Sequence, residues 1–279
     1  MSTAKGSAGP SNLTVRVLTA AVGAPGILAL LYLAPAWGFY LLVFAAVSVG
    51  AWELLAMTHG GDRIARAFGL VLCQAVSLLV YFKVGDARVV VGLLAGIPAV
   101  SLLVTLVRLG DVSTAAMRAF AMAFAPCFVA VPLTLLARML RDFGPAGPGL
   151  VVMSLMFAWF ADTGGYFAGR FLGKHKLYAA VSPKKTVEGA VGGLIGAVIG
   201  GLAASLGYLR EIPLSHSVPL AIVAGALGEA GDLGESLIKR SMGVKDSGAI
   251  VPGHGGILDR ADALIFTSVT VYLYAMFFR

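Results

Sequence analysis

Apolar residues run along this chain in blocks of about 20, separated by short polar breaks. The blocks fall near 13–33, 37–57, 67–83, 87–107, 115–137, 150–171, 187–208, 218–238 and 261–278. Each matches the roughly 20 residues a helix needs to cross the hydrocarbon core of a bilayer. The pattern predicts an all-α polytopic membrane protein with nine transmembrane helices. Residues 1–12 are small and polar and read as a disordered tail. Ala34-Pro35-Ala36 loosely resembles a signal-peptide cleavage site, but the apolar run before it exceeds a signal core, so the first block reads as a retained span. No strong internal repeat is visible. The chain divides into an N-terminal set of spans, 13–140, with few charges inside them, and a C-terminal region, 141–279, in which the chemistry collects.

Composition agrees. Of the 279 residues 58% are hydrophobic and 13% charged, with mean hydropathy +0.89; a soluble domain carries about 25% charged residues. The 36 glycines suit helices that approach closely in lipid. Cys73 and Cys127 sit in apolar segments and form neither a disulfide nor a metal pattern. The net charge of +7 does not point to nucleic acid, because no soluble basic domain carries it. It points instead to loop charge and to an anionic lipid or phosphate ligand. If the loops after spans two, four, six and eight are cytosolic together with the C-terminus, they hold fourteen of the 21 lysines and arginines, a bias that places both polar C-terminal loops in the cytosol.

Polar residues inside a span are costly, so each one is informative. Glu53, near the end of the second span, reads as a snorkelling or hydrogen-bonded interfacial acid. Asp162 lies in the sixth span before Thr163, Gly164 and Gly165, where it would meet a metal or ligand or else pair with a base such as Arg170, and the glycines would let a ligand approach the backbone. Ser182, Lys184, Lys185 and Thr186 precede the seventh span; two lysines before a helix start suit a triphosphate, and equally suit plain anchoring of a cytosolic loop. The eighth span ends with Glu229, Asp232, Glu235, Lys239 and Arg240. Asp232, Ser236 and Lys239 share one helical face, and Glu235 with Lys239 forms an i,i+4 pair in the favourable order. Hard cations such as Mg²⁺ prefer carboxylate oxygens and leave room for substrate phosphates, which makes Asp232 a metal candidate. Asp259, at the start of the ninth span, would complete a two-carboxylate site, with Asp262 in a capping role and His254 touching phosphate or holding the loop.

The stretch SLIKRSMGVKDSGAIVPGHGGILDRAD, Ser236–Asp262, closely resembles the defining motif of the phosphatidate cytidylyltransferases, or CDP-diacylglycerol synthases: S-x-x-K-R-x4-K-D, a short gap, then H-G-G-x-x-D-R-x-D. Two upstream blocks, Asp162-Thr163-Gly164 and Ser182–Thr186, look like the same family. The resemblance covers about Met156 to Asp262. It implies a multi-pass membrane enzyme that joins CTP to phosphatidic acid, needs Mg²⁺, uses K⁺ as a second ion, works as a homodimer and opens to the cytosol. It further implies that Asp232 and Asp259 bind the metal, that Lys239, Arg240, Lys245 and Asp246 join them in catalysis, and that Asp162, Ser182, Lys184, Lys185, Thr186, Ser236, His254, Gly255, Gly256 and Arg260 surround the substrates. Without the motif, a secondary transporter would suit the buried acids and broken helices as well. A CDP-alcohol phosphotransferase would need D-x2-D-G-x2-A-R, which the chain lacks.

Overall fold

The computed structural model describes residues 12–248, 250 and 255–278. The expected tail lies outside them, apart from residue 12, which opens the first helix. The described residues form ten α-helices and one small β-hairpin. In order, the N-terminal helices are α1 (Asn12–Leu33), α2 (Ala36–His59), α3 (Arg63–Lys83), α4 (Ala87–Val107), α5 (Ala115–Ala125) and α6 (Val131–Asp142). They are followed by α7 (Gly147–Leu172), strands β1 (Lys176–Tyr178) and β2 (Ser182–Thr186), α8 (Val187–Leu206), α9 (Leu214–Ser241) and α10 (Leu258–Phe278). Among the described residues seven helical segments are long and apolar enough to cross a membrane, α5 and α6 together making one of them.

Local chemistry sets the breaks. Pro35, with no N–H to donate, ends α1 and starts α2. Asp62 caps α3 by accepting the Ala65 N–H at 3.0 Å, and it also pairs with Arg108 across the loops at 3.2 Å. That N–H first, and the guanidinium second, hold the Asp62 carboxyl below the usual carboxylate range. Between α5 and α6 the helix does not stop. Pro126 cannot donate to the preceding turn, and the chain takes a π turn over Pro126–Ala130 before continuing.

The N-terminal helices share a core around α2, α3 and α6. A chain of hydroxyls threads it: Tyr40 bonds Ser77 at 3.2 Å, and Ser77 bonds Thr134 at 2.8 Å. The tightest seam in the molecule lies between α7 and α8. A Cβ at Gly192 would strike Ala168 and the Gly164 carbonyl, and one at Gly196 would strike the Phe160 carbonyl. The helix backbones touch because the side chains are missing. Gly164 faces Gly192 in this seam, so it serves helix contact, not the ligand approach expected of it.

α10 joins the two halves. Ser268 donates to the Pro132 carbonyl of α6 at 3.0 Å, Thr267 to the Ser154 carbonyl of α7 at 3.0 Å, and Tyr272 to Asp142 at 2.7 Å. α10 also runs antiparallel to α9. Lys239 meets Asp259 where α9 ends and α10 begins, and His216 meets Tyr274 at 3.0 Å at the other end. This corrects one expectation. A 21-residue helix spans about 30 Å, so the α10 end at Phe278 lies across the bundle from the motif loop, not on the same face.

A charged cavity at one end of the bundle

The hairpin is the element the sequence did not announce. Strands β1 and β2 pair antiparallel, Lys176 opposite Thr186 and Tyr178 opposite Ser182. It projects the two lysines over the mouth of a cavity. Thr186 then ends the hairpin and caps α8, accepting the Gly189 N–H at 3.1 Å. Glu188 ties the hairpin's base, accepting from the backbone of Lys174 at 3.0 Å and pairing with His175 at 2.6 Å. The hydroxyl of Thr186 thus caps α8 through one lone pair, and Thr186 also lines the cavity.

The cavity has a volume of about 850 Å³ and is walled by α7, α8, α9, α10 and the hairpin. Its charged wall carries Asp162, Lys184, Lys185, Asp232, Arg260 and Asp262, and its apolar wall includes Phe157, Trp159 and Ala263. Asp232 pairs with Lys185 at 2.7 Å and lies within electrostatic reach of Asp162, Glu229 and Asp262. Lys185 and Arg260 are cations within electrostatic reach of Asp162.

Asp259 also lines the cavity, yet both of its oxygens are engaged. Oδ1 accepts from Lys239 Nζ at 2.6 Å. Oδ2 accepts the backbone N–H groups of Ser247 at 2.9 Å and Gly256 at 2.8 Å, and the Ser247 hydroxyl at 2.9 Å. Lys239 is buried and bridges Asp259 to fully buried Glu235, whose Oε1 lies 2.9 Å away. The expected i,i+4 pair is present and belongs to a three-residue network, in which Lys239 also lines the cavity with one N–H beyond those it gives to Glu235 and Asp259. Asp259 and Lys239 thus hold the loop at the head of α10. Asp262, from the next turn of α10, also lines the cavity, with Oδ1 accepting the Ala263 N–H at 2.7 Å. Among the described residues no three His, Cys, Asp or Glu side chains gather closely enough to hold a metal by themselves.

The other expected residues divide. Asp246 lines the cavity. Arg240 is exposed and donates to the Val244 carbonyl at 3.0 Å; it lies outside the lining, as do Lys245, Ser182 and Ser236, whose hydroxyl is 3.5 Å from Asp232. Gly255 takes φ +83°, a conformation that favours glycine, and its missing Cβ leaves space for Asp259, 2.8 Å away. A Cβ at Gly256 would strike the Ser247 hydroxyl and Glu53. Both glycines are accounted for by the loop's own packing. His254 lies outside the described residues.

Arg170, Tyr166 and Glu229 are among the lining residues that were not expected in the site. Arg170 and Tyr166, bonded to each other at 2.7 Å, stand one turn apart on α7, and Glu229 stands on α9. Arg170 sits two turns after Asp162, and that i,i+8 spacing on one helix is the signal that would have found it. The larger surprise is Glu53. This buried α2 acid accepts from Ser247 at 3.2 Å, from the Ile257 N–H at 3.2 Å and from the Leu258 N–H at 2.9 Å. It is hydrogen-bonded, as one reading of the sequence held, but to the C-terminal motif and not to the interface.

Fold and site together define a largely helical membrane protein built around a charged cavity at one end of its bundle. The sequence profile of the cytidylyltransferase family matches residues 14–278, and the chain belongs to that family. Curated relatives named phosphatidate cytidylyltransferase are similar over part of their length. The chain is 47% identical to one from Staphylococcus saprophyticus over 116 residues, 42% of this chain and 45% of the relative. It is 42% identical over 141 residues to one from Brucella suis and 40% identical over 139 residues to one from Bacillus subtilis, in each case 50% of this chain and 52% of the relative. The matched stretch thus spans about half the length of these relatives.

Proposed function

We propose that this protein is a phosphatidate cytidylyltransferase, converting CTP and phosphatidic acid to CDP-diacylglycerol and pyrophosphate. One observation carries the reading: a single cavity joins a wall of lysine, arginine and carboxylate to a wall of apolar helix. Such a cavity suits a nucleoside triphosphate meeting a phosphorylated lipid. The names of the relatives support the same reaction.

A phosphate oxygen of the lipid attacks the α-phosphorus of CTP. The bond from that phosphorus to the bridging α–β oxygen breaks, and pyrophosphate leaves with the electron pair. The attacking oxygen is already anionic near neutral pH, so no side chain has to remove a proton. The chain's own contribution is positioning and charge. Lys184, Lys185, Arg170 and Arg260 present cations to the phosphates. Lys239 and Asp259 keep the α9–α10 junction in place behind them. The donors around Asp232 are oxygens only and too few to complete a shell, which fits Mg²⁺ shared with substrate phosphates. Asp232 and Asp262 would hold it, and when bound it would neutralise phosphate charge. K⁺ as a second ion and a homodimeric state rest on the family resemblance alone. We read all nine membrane-length helical segments as crossings, with the cavity open to the cytosol, because the loops on its face carry most of the basic residues.

The test is the purified protein in detergent with CTP, phosphatidic acid and Mg²⁺. CDP-diacylglycerol and pyrophosphate should form in equal amounts, and omitting either substrate should abolish both. A transporter with the same outline would release no pyrophosphate, and that result would overturn the assignment. Replacing CTP by dCTP or ATP measures the base and sugar selectivity.

A further inference from the structure

Glu53 stands near the end of α2, outside the C-terminal region that carries the motif. It is 3% exposed, and among the described residues the hydrogen-bond partners of its carboxylate all lie in the α9–α10 junction. An acid parked at a membrane interface reaches water or headgroups; this one is aimed inward.

The reason lies in how α10 begins. The first turn of a helix has N–H groups without intrahelical partners, and a serine, threonine, aspartate or asparagine just before the helix ordinarily accepts one of them. The residue before Leu258 is Ile257, which has no side-chain oxygen. The N–H groups of Ile257 and Leu258 go instead to Glu53, whose negative charge also suits the positive end of the helix. Leu258 and Glu53 are 205 residues apart, so the missing local cap is supplied from the other half of the protein.

The junction is fitted to this acid. A Cβ on Gly248 or on Gly256 would collide with a Glu53 oxygen. The Ser247 hydroxyl stands between Glu53 Oε2 at 3.2 Å and Asp259 Oδ2 at 2.9 Å, with its one proton shared between two carboxylates. Asp259 in turn fixes Lys239. The next residues along α10 are Arg260 and Asp262, which face the cavity. Glu53 itself is outside the cavity lining.

We propose that Glu53 is a positioning residue of the active site, setting the start of α10 and, through Ser247 and Asp259, the placement of Arg260 and Asp262. The inference rests on the cytidylyl-transfer reading above.

Two variants and two measurements test it. Glu53→Gln keeps the side-chain shape and one acceptor oxygen, and Glu53→Ala removes both. In E53Q the kcat for CDP-diacylglycerol formation should fall about tenfold to a hundredfold, while KM for CTP stays within about twofold. Amide hydrogen exchange at Ile257 and Leu258 should accelerate, with exchange in the α7–α8 seam unchanged. E53A should show the larger exchange effect. A folded E53Q with wild-type kcat overturns the proposal, and so does unchanged exchange at those two amides. A loss of activity matched by an equal loss of folded protein makes Glu53 a fold residue only and overturns it as well. The exchange measurement needs no turnover. If the wild-type protein made no CDP-diacylglycerol, it would still decide whether Glu53 sets the start of α10.

Discussion

Lys185 Nζ lies 2.7 Å from Asp232 Oδ2, closing a contact between the β-hairpin and the last third of α9. Each side chain is about a quarter exposed, so both stay open to a ligand in the cavity. Under the proposed reaction a triphosphate would compete for the lysine, and a hard cation would compete for the aspartate. The pair marks where ligand charge would enter, and its opening would free the hairpin to settle on the nucleotide.

Asp232→Asn should therefore lower Mg²⁺-dependent turnover about a hundredfold or more, some 2.7 kcal/mol of barrier. Melting in detergent should barely change, because partly exposed ion pairs contribute about 0–1 kcal/mol. Pyrophosphate release and thermal unfolding, measured on one preparation, check both halves. Near-normal turnover would remove Asp232 from the cation site.

Lys239→Met should behave in the opposite way. Losing the lysine leaves Glu235 and Asp259 buried without their cation, and breaking a buried pair in this manner costs about 3–5 kcal/mol. The expected result is a large drop in melting temperature. A stable variant with only a raised KM would make Lys239 a phosphate ligand instead.

Lys184 lines the cavity and is exposed. Lys184→Ala should raise KM for CTP or for phosphatidic acid about tenfold, the loss of one charge-assisted hydrogen bond of about 1.5 kcal/mol. Which KM moves tells which substrate the hairpin holds. Arg210→Ala, at the far end of the bundle, should change neither.

The α7–α8 seam predicts a contrast between two glycines. Gly192→Ala places a methyl against Ala168 and the Gly164 carbonyl and should destabilise by about 1–3 kcal/mol. Gly92→Ala, in α4 with open space around it, should be close to neutral or slightly stabilising. Unfolding of the two variants side by side is the measurement.

The helices were legible because hydrophobic blocks and their polar breaks are local. The block at 87–107 coincides with α4, and the others differ from the observed helices by a few residues. The junction motif was legible because its polar residues are too costly in a membrane to be incidental. What escaped depended on distant partners. Nothing near Glu53 in the chain says that Leu258 lacks a cap. Nothing near Asp259 says that Ser247 and Gly256 will take up its second oxygen, leaving Asp262 to face the cavity. The hairpin escaped because five residues, SPKKT, contain no alternation of apolar and polar positions to mark a strand. Phe278 was expected on the face of the motif loop, although the one crossing between them already puts it on the other, as the antiparallel contact of α9 with α10 shows.

The bond from Leu258 to Glu53 also bears on how the protein is made. Its two residues are 205 positions apart, so one end enters the membrane long before the other is synthesised. Helix α2 must hold its acid without these partners until α10 arrives, and α10 gains its cap only by docking. Contacts of such long sequence range close late in folding. No insertion intermediate that lacks α10 carries Arg260 and Asp262 in the cavity, so the charged lining is complete only after α10 docks.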